Sequence, residues 1–210
     1  MSGNISYDDK PKLYFSTIYY KWRGIIGESV KGADHMKRLP IGIEDFKELI
    51  DKDCYYVDKT SFITDIINEK VALYTRPRRF GKTLNMSMLY YFFSMKEKEN
   101  AYLFDNLEIS NDCDALLHQH AYPVVFITLK DMKRADYKMQ IEKFGSIISD
   151  IVNANPELLN SPILNTAQKN LLIQYQNETS TISNLMDALF KISICMQLHF
   201  HKKVIILTNE

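Results

Sequence analysis

The chain has 210 residues with 26 lysines and arginines against 26 aspartates and glutamates, so overall charge predicts neither nucleic-acid nor membrane attraction. A 46% hydrophobic and 25% charged composition is that of a globular protein rather than a disordered one. Three isolated cysteines (Cys54, Cys113, Cys195), no CxxC pair and no signal-peptide pattern argue against a disulfide framework or zinc site. With no apolar run near the ~18 residues of a membrane helix, the expected location is the cytoplasm, without membrane contact.

Residues 1–35 contain Tyr7, Tyr14, Tyr19, Tyr20 and Trp22 but no sustained helix or strand period. They read as an irregular N-terminal extension, and translation is expected to start naturally at Met36. Lys31-Gly32-Ala33 permits a purine-rich coding stretch suited to a ribosome-binding site there. From residue 36 to 210 the pattern is regular. Glu44 to Ile50 predicts a short helix with Phe46, Leu49 and Ile50 on one side. Tyr55-Tyr56-Val57 is a brief extended piece. Asp58 is the expected N-cap of a helix running to about Lys70.

Val71 to Thr75 is a short apolar run that predicts a buried parallel strand. A helix from Lys82 to about Met95 follows, with the Tyr90 to Phe93 aromatics filling the core between helix and sheet. Tyr122-Pro123 precedes a strand at Val124 to Leu129. Helices are expected near Tyr137 to Val152, Thr166 to Tyr175 and Ile182 to Leu198, and a third strand at Val204 to Leu207. Strands separated by helices imply a parallel sheet with helices on its faces.

The stretch between the first strand and its helix carries the chemistry. Arg76-Pro77-Arg78-Arg79-Phe80-Gly81-Lys82-Thr83 lies where a phosphate-binding loop must lie. There, successive backbone N–H groups and the helix N-terminus surround phosphates. Gly81 permits close backbone approach, Lys82 adds a point charge on the β- and γ-phosphates, and the Thr83 hydroxyl ligates magnesium. The usual loop has glycine five residues before the lysine; Arg76 stands there, and Pro77 removes one N–H donor. By pattern alone, a helix start with an exposed lysine reads equally from Gly-Lys-Thr. A phosphate-loop ATPase also needs a buried strand ending in an acidic pair. Val204 to Glu210 has that form with Asn209 in the first acidic position, although a core strand ending in a polar turn has it too.

Leu39-Pro40-Ile41-Gly42, Tyr56-Val57-Asp58-Lys59-Thr60, and Thr75 to Thr83 together resemble the AAA-ATPase-like family of bacterial proteins. Tyr91-Phe92-Phe93, Leu103-Phe104 with Leu107, and Tyr122-Pro123-Val124 continue the resemblance over residues 37–210. In that family the loop begins with Arg-Pro, so Arg76 is a family trait. The resemblance implies an α/β fold, a P-loop NTPase sandwich with a parallel sheet, here truncated after the acidic-pair strand. It implies ATP and Mg2+ as cofactors, contacted by Pro77, Arg78, Arg79, Phe80, Gly81, Lys82, Thr83 and Leu84. Lys82 and Glu210 would be catalytic, and Thr83 and Asn209 would serve the metal. The family usually reads Leu-Ile-Asp-Glu-Tyr-Asp where this chain has Leu207-Thr208-Asn209-Glu210, so the magnesium-associated aspartate is replaced.

Longer members often end in a PD-(D/E)XK nuclease-like domain, and nucleic acid is expected to be reached only through that missing part. Two functional readings follow: magnesium-dependent ATP hydrolysis in the complete protein, or a catalytically inactive nucleotide- or partner-binding remnant. A protein partner or self-association fits either. Ending at Glu210 would leave apolar strand edges open, so the isolated chain is expected to fold poorly. Arg76, Arg78 and Arg79 could hold phosphates, a neighbouring subunit or nucleic acid; ATP alone accounts for them. His118 with His120, and His199 with His201, lack a carboxylate or cysteine to complete a metal set. Lys130, Lys133, Arg134 and Lys138 read as a solvated basic face.

Overall fold

The structure, a computed structural model, describes residues 37–75, 80–132 and 136–209. The chain divides into two units, Met1–Lys37 and Arg38–Glu210, and the fold described is that of the second. Its elements run α1 (Phe46–Asp51), α2 (Ser61–Ile67), α3 (Lys82–Phe93), α4 (Cys113–Leu116), β1 (Val124–Thr128), α5 (Tyr137–Asn153), α6 (Thr166–Gln176), α7 (Ile182–Met186), α8 (Ala188–Phe200) and β2 (Ile205–Asn209). Short 3-10 turns at Lys98–Phe104 and Glu108–Asn111 join α3 to α4. The fold is therefore mixed helix and strand.

β1 and β2 pair in parallel, with Val124 opposite Ile205 and Thr128 opposite Asn209. Parallel partners need a long crossover, and α5 to α8 supply it. Side-chain alternation sorts the two faces of the pair. Val125 and Ile127 pack with Ile148, Val152, Leu172, Ile192 and Met196 from the crossover helices. Ile205 and Leu207 pack on the other face, with Phe46, Met88, Phe92 and Phe104. Two residues beyond Leu207, the same alternation assigns Asn209 to the α3 face.

Helix α3 is apolar nearly all round because it is enclosed, with β2 on one side and α1 on the other. Phe92 is fully buried, and its ring meets Phe93 at 5.2 Å and Phe104 at 5.1 Å, both edge-on. Ser87 turns its hydroxyl to accept the Phe46 N–H at 2.8 Å, and the Tyr91 hydroxyl donates to Asp45 at 3.2 Å. Asp45 also caps α1, accepting from the Glu48 N–H. The aromatics at 90–93 divide accordingly: Phe92 and Phe93 are buried, while Tyr90 and Tyr91 are half-buried and bonded at their hydroxyls.

Several expectations change. Val71 to Thr75 is not a strand: Val71 and Leu73 are 87% and 88% exposed, and the half-buried Tyr74 sets its ring tilted against Phe62 at 4.5 Å. A strand exists through ladder partners; among the described residues β2 pairs with β1, and nothing pairs with 71–75. The strand at 204–207 instead runs from Ile205 through Asn209. The helix expected from 182 to 198 is two, broken at Asp187, which ends α7 and starts α8.

Asp58 is not a helix cap either; Thr60 starts α2, and Asp58 organises the turn before it. Its Oδ1 accepts from the Thr60 N–H and hydroxyl, and its Oδ2 accepts from the Glu108 N–H at 2.7 Å. The Thr60 hydroxyl, fully buried, accepts from the Ile109 N–H at 3.1 Å. The segment before α2 is thus fixed to the Glu108–Asn111 turn by backbone donors. Thr60→Val keeps the shape but leaves the Ile109 N–H buried without an acceptor, which costs about 1–3 kcal/mol. Thermal melting should fall accordingly, and Thr60→Ser, retaining both hydrogen bonds, should recover most of the loss.

Candidate functional site

The site begins at Gly81, which precedes α3 with φ +74°, a left-handed conformation that glycine adopts without a Cβ penalty. Its carbonyl accepts the first helical bond, from Asn85 N–H at 2.9 Å. The amides of its first turn have no intrahelical acceptor, and among the described residues no side chain caps them. Together with the helix dipole they form a positive helix terminus suited to an anion.

Asn209 closes the site from the sheet. The Leu129 N–H donates to its carbonyl at 2.7 Å, holding the end of β2 beside β1. Its side chain is 2% exposed, and Nδ2 lies 3.2 Å from Thr83 Oγ1, where it donates. Among the described residues its Oδ1 has no hydrogen-bond partner. Asn85, two residues beyond Thr83 on α3, is similar: Nδ2 donates to the Tyr74 hydroxyl at 2.8 Å, and Oδ1 has no partner among the described residues. An unpaired buried carbonyl oxygen is costly, and that of Asn209 is an acceptor of the kind a metal-bound water needs. The Thr83 hydroxyl and the Asn209 Oδ1 are oxygens of the kind a magnesium shell uses, and neither carries a charge.

Of the expected phosphate contacts, Phe80 is 54% exposed, Lys82 and Thr83 are half-buried, and Leu84, half-buried in the first turn of α3, packs against the core. Among the described residues no carboxylate pairs with Lys82. Arg76, Pro77, Arg78, Arg79 and Glu210 lie outside the described residues.

One residue near the site was not singled out by sequence reasoning. Lys59 reaches across from the turn before α2, and its Nζ would lie 3.9 Å from a Cβ added to Gly81. Spacing could not have revealed it, because it lies 22 positions before Gly81; the only signal was its place in Tyr56-Val57-Asp58-Lys59-Thr60.

The remaining polar clusters serve the fold. His118 Nδ1 bonds the Tyr122 hydroxyl at 2.5 Å and stacks on that ring, and His199 Nδ1 bonds Ser161 Oγ at 2.9 Å. Burial lowers the His120 pKa, which favours the neutral ring. Among the described residues no three His, Cys, Asp or Glu side chains gather to hold a metal. Lys130 pairs with Glu44 at 2.6 Å and Lys138 lies 4.0 Å from Glu142, while Lys133 and Arg134 lie outside the described residues. No helix among the described residues is long and apolar enough to cross a membrane.

Fold and helix terminus together define a mixed α/β protein whose central helix opens on Gly-Lys-Thr beside the end of a parallel strand. The chain belongs to the AAA-ATPase-like family, whose description is "Predicted AAA-ATPase" and whose model matches residues 40–210. It is also similar to an "Uncharacterized protein in vnfD 5'region" from Azotobacter chroococcum mcd 1, with 39% identity over 80 residues. That match covers 37% of this chain and 15% of the relative, far less than two thirds of the relative's length. No solved structure matches.

Proposed function

We propose that the N-terminus of α3 binds the phosphates of ATP with magnesium, within a P-loop sandwich of which β1 and β2 are part. The observation that carries this reading is the meeting of Thr83 and Asn209, separated by 126 positions in the chain, at an uncapped helix start that begins Gly81-Lys82-Thr83. In this reading the first-turn amides hold phosphate oxygens, Lys82 neutralises their charge, and Thr83 offers its hydroxyl oxygen to the metal. Pro77, Arg78, Arg79, Phe80 and Leu84 complete the cradle, and Glu210 orients the attacking water. Bound magnesium supplies charge neutralisation on the phosphoryl group being transferred. Titration calorimetry with ATP, ADP and adenosine tests the reading. Affinity should fall with each phosphate removed and vanish for adenosine; equal affinity for ATP and adenosine would overturn it.

A second reading, binding without turnover, is favoured by the amide at position 209. Aspartate would hold a metal-bound water with a full negative charge, whereas the Asn209 Nδ2 presents a donor toward Thr83. Asn209→Asp should raise magnesium-dependent phosphate release roughly tenfold or more, about 1.4 kcal/mol in the barrier. ATP affinity measured without metal should barely change. The buried carboxylate should also lower the melting temperature without magnesium and restore it with magnesium. Identical hydrolysis rates at limiting magnesium, with no magnesium-dependent shift in melting, would remove residue 209 from the metal shell.

A further inference from the structure

We propose that Lys59 is a second cationic contact for the phosphate chain, approaching it from the turn before α2 while Lys82 approaches from α3. The inference rests on the reading that this helix terminus takes a nucleoside triphosphate. Its first support is position. With Nζ 3.9 Å from the site of a Gly81 Cβ, the ammonium can be no more than about 5.4 Å from the Gly81 Cα, one bond length further. A phosphate oxygen held by the first-turn amides comes within reach of a small movement of that flexible side chain.

The second support is how firmly the backbone of Lys59 is held. Its N–H donates to the Tyr56 hydroxyl at 3.3 Å, and its carbonyl accepts from the Phe62 N–H at 3.1 Å. Burial pushes the Tyr56 phenol up to about 12, so it stays protonated and donates to Met88 Sδ on α3 at 3.5 Å. Asp58 and Thr60, on either side of Lys59, are fastened to the Glu108–Asn111 turn. The lysine is thereby anchored on three sides and free only at its tip.

Charge is the third support. Asp58, the neighbouring carboxylate, has both oxygens engaged by the Thr60 and Glu108 donors. Among the described residues neither Lys59 nor Lys82 has a carboxylate partner, a state shared with Lys70, Lys98, Lys143, Lys169, Lys202 and Lys203; what distinguishes Lys59 is its approach to Gly81. Both lysines are half-buried. An ammonium this close to the positive end of the α3 dipole, with no carboxylate partner among the described residues, favours the entry of an anion. Asn209, whose Nδ2 meets Thr83, leaves its buried Oδ1 without a partner among the described residues at the same helix start. A polyphosphate answers both needs, since it supplies several charges and brings a hydrated cation.

The test uses the 210-residue chain. Lys59→Met, which keeps the apolar stem, should weaken ATP binding by about tenfold or more, with a smaller loss for AMP. Lys59→Arg should restore most of the ATP affinity. In the unaltered chain, saturating ATP should slow acetylation of Lys59 by an amine-reactive reagent at least about fivefold, because a bound phosphate masks the ammonium. Lys70, which is exposed, should label at an unchanged rate. The acetylation measurement holds even if Lys59→Met fails to fold. If ATP binds the unaltered chain but neither protects Lys59 nor is weakened by Lys59→Met, the lysine is not a phosphate contact, and the helix-terminus reading stands without it. If the unaltered chain does not bind ATP, that reading fails and this one with it.

Discussion

Replacing Lys82 with alanine should lower the affinity for ATP by about thirtyfold or more, the cost of removing one partner from a hydrogen-bonded charge pair. The lysine is the first residue of α3, half-buried, beside a glycine whose left-handed backbone turns the chain into the helix. Its side chain has no carboxylate partner among the described residues, so its truncation breaks no ion pair among them. Alanine is also the best helix former at an ordinary helical position. Melting should therefore move by no more than about 2 °C, which separates lost binding from lost folding. Equal ATP affinity in the two proteins would remove the phosphate-loop assignment altogether.

Phe92→Ala should destabilise the protein by about 3–5 kcal/mol, the usual cost of emptying a buried phenylalanine site. The ring is fully buried between α1, the Lys98–Phe104 turn and β2, in a cluster that includes Phe46, Phe104 and Leu207. Its edge-on contacts with Phe93 and Phe104 add to the area lost. Domain stabilities are only about 5–15 kcal/mol, so melting should drop by about 6–20 °C. Phe190→Ala provides the contrast: that ring is 69% exposed on α8, and its removal should shift stability by about 0.5 kcal/mol or less. Equal losses at the two positions would mean that the enclosure of α3 is drawn incorrectly.

Helix α3 was legible because Gly81-Lys82-Thr83 signals a start and a run of apolar residues follows. Its start falls at Lys82 as expected. β1 and β2 were legible from their short β-branched runs. Val71 to Thr75 is a short apolar run as well, with fewer β-branched residues, and is not a strand, because composition reports the ability to pair and not the presence of a partner. The Asp58 turn was read as a helix cap since an aspartate before an apolar period looks the same in both settings; the difference lies in Glu108, 50 positions away. Similarly, the pairing of Asn209 with Thr83 and the reach of Lys59 toward Gly81 come from packing between distant segments. Local periodicity carries no trace of either.

The crossover between β1 and β2 also sets the order in which this site can come into being. Val124 and Ile205 are register partners with four helices between them, and the Thr83–Asn209 contact spans 126 positions. Closing such long loops costs entropy before any contact compensates. Helix α3 and the turn before α2 can gather early around Phe46 and Phe92 from segments much nearer in sequence. Asn209 joins them only after α5 to α8 have packed and β2 has docked on β1. Completion of the site is thus a late event on the folding path, and its two halves meet only in chains that have folded nearly to the end.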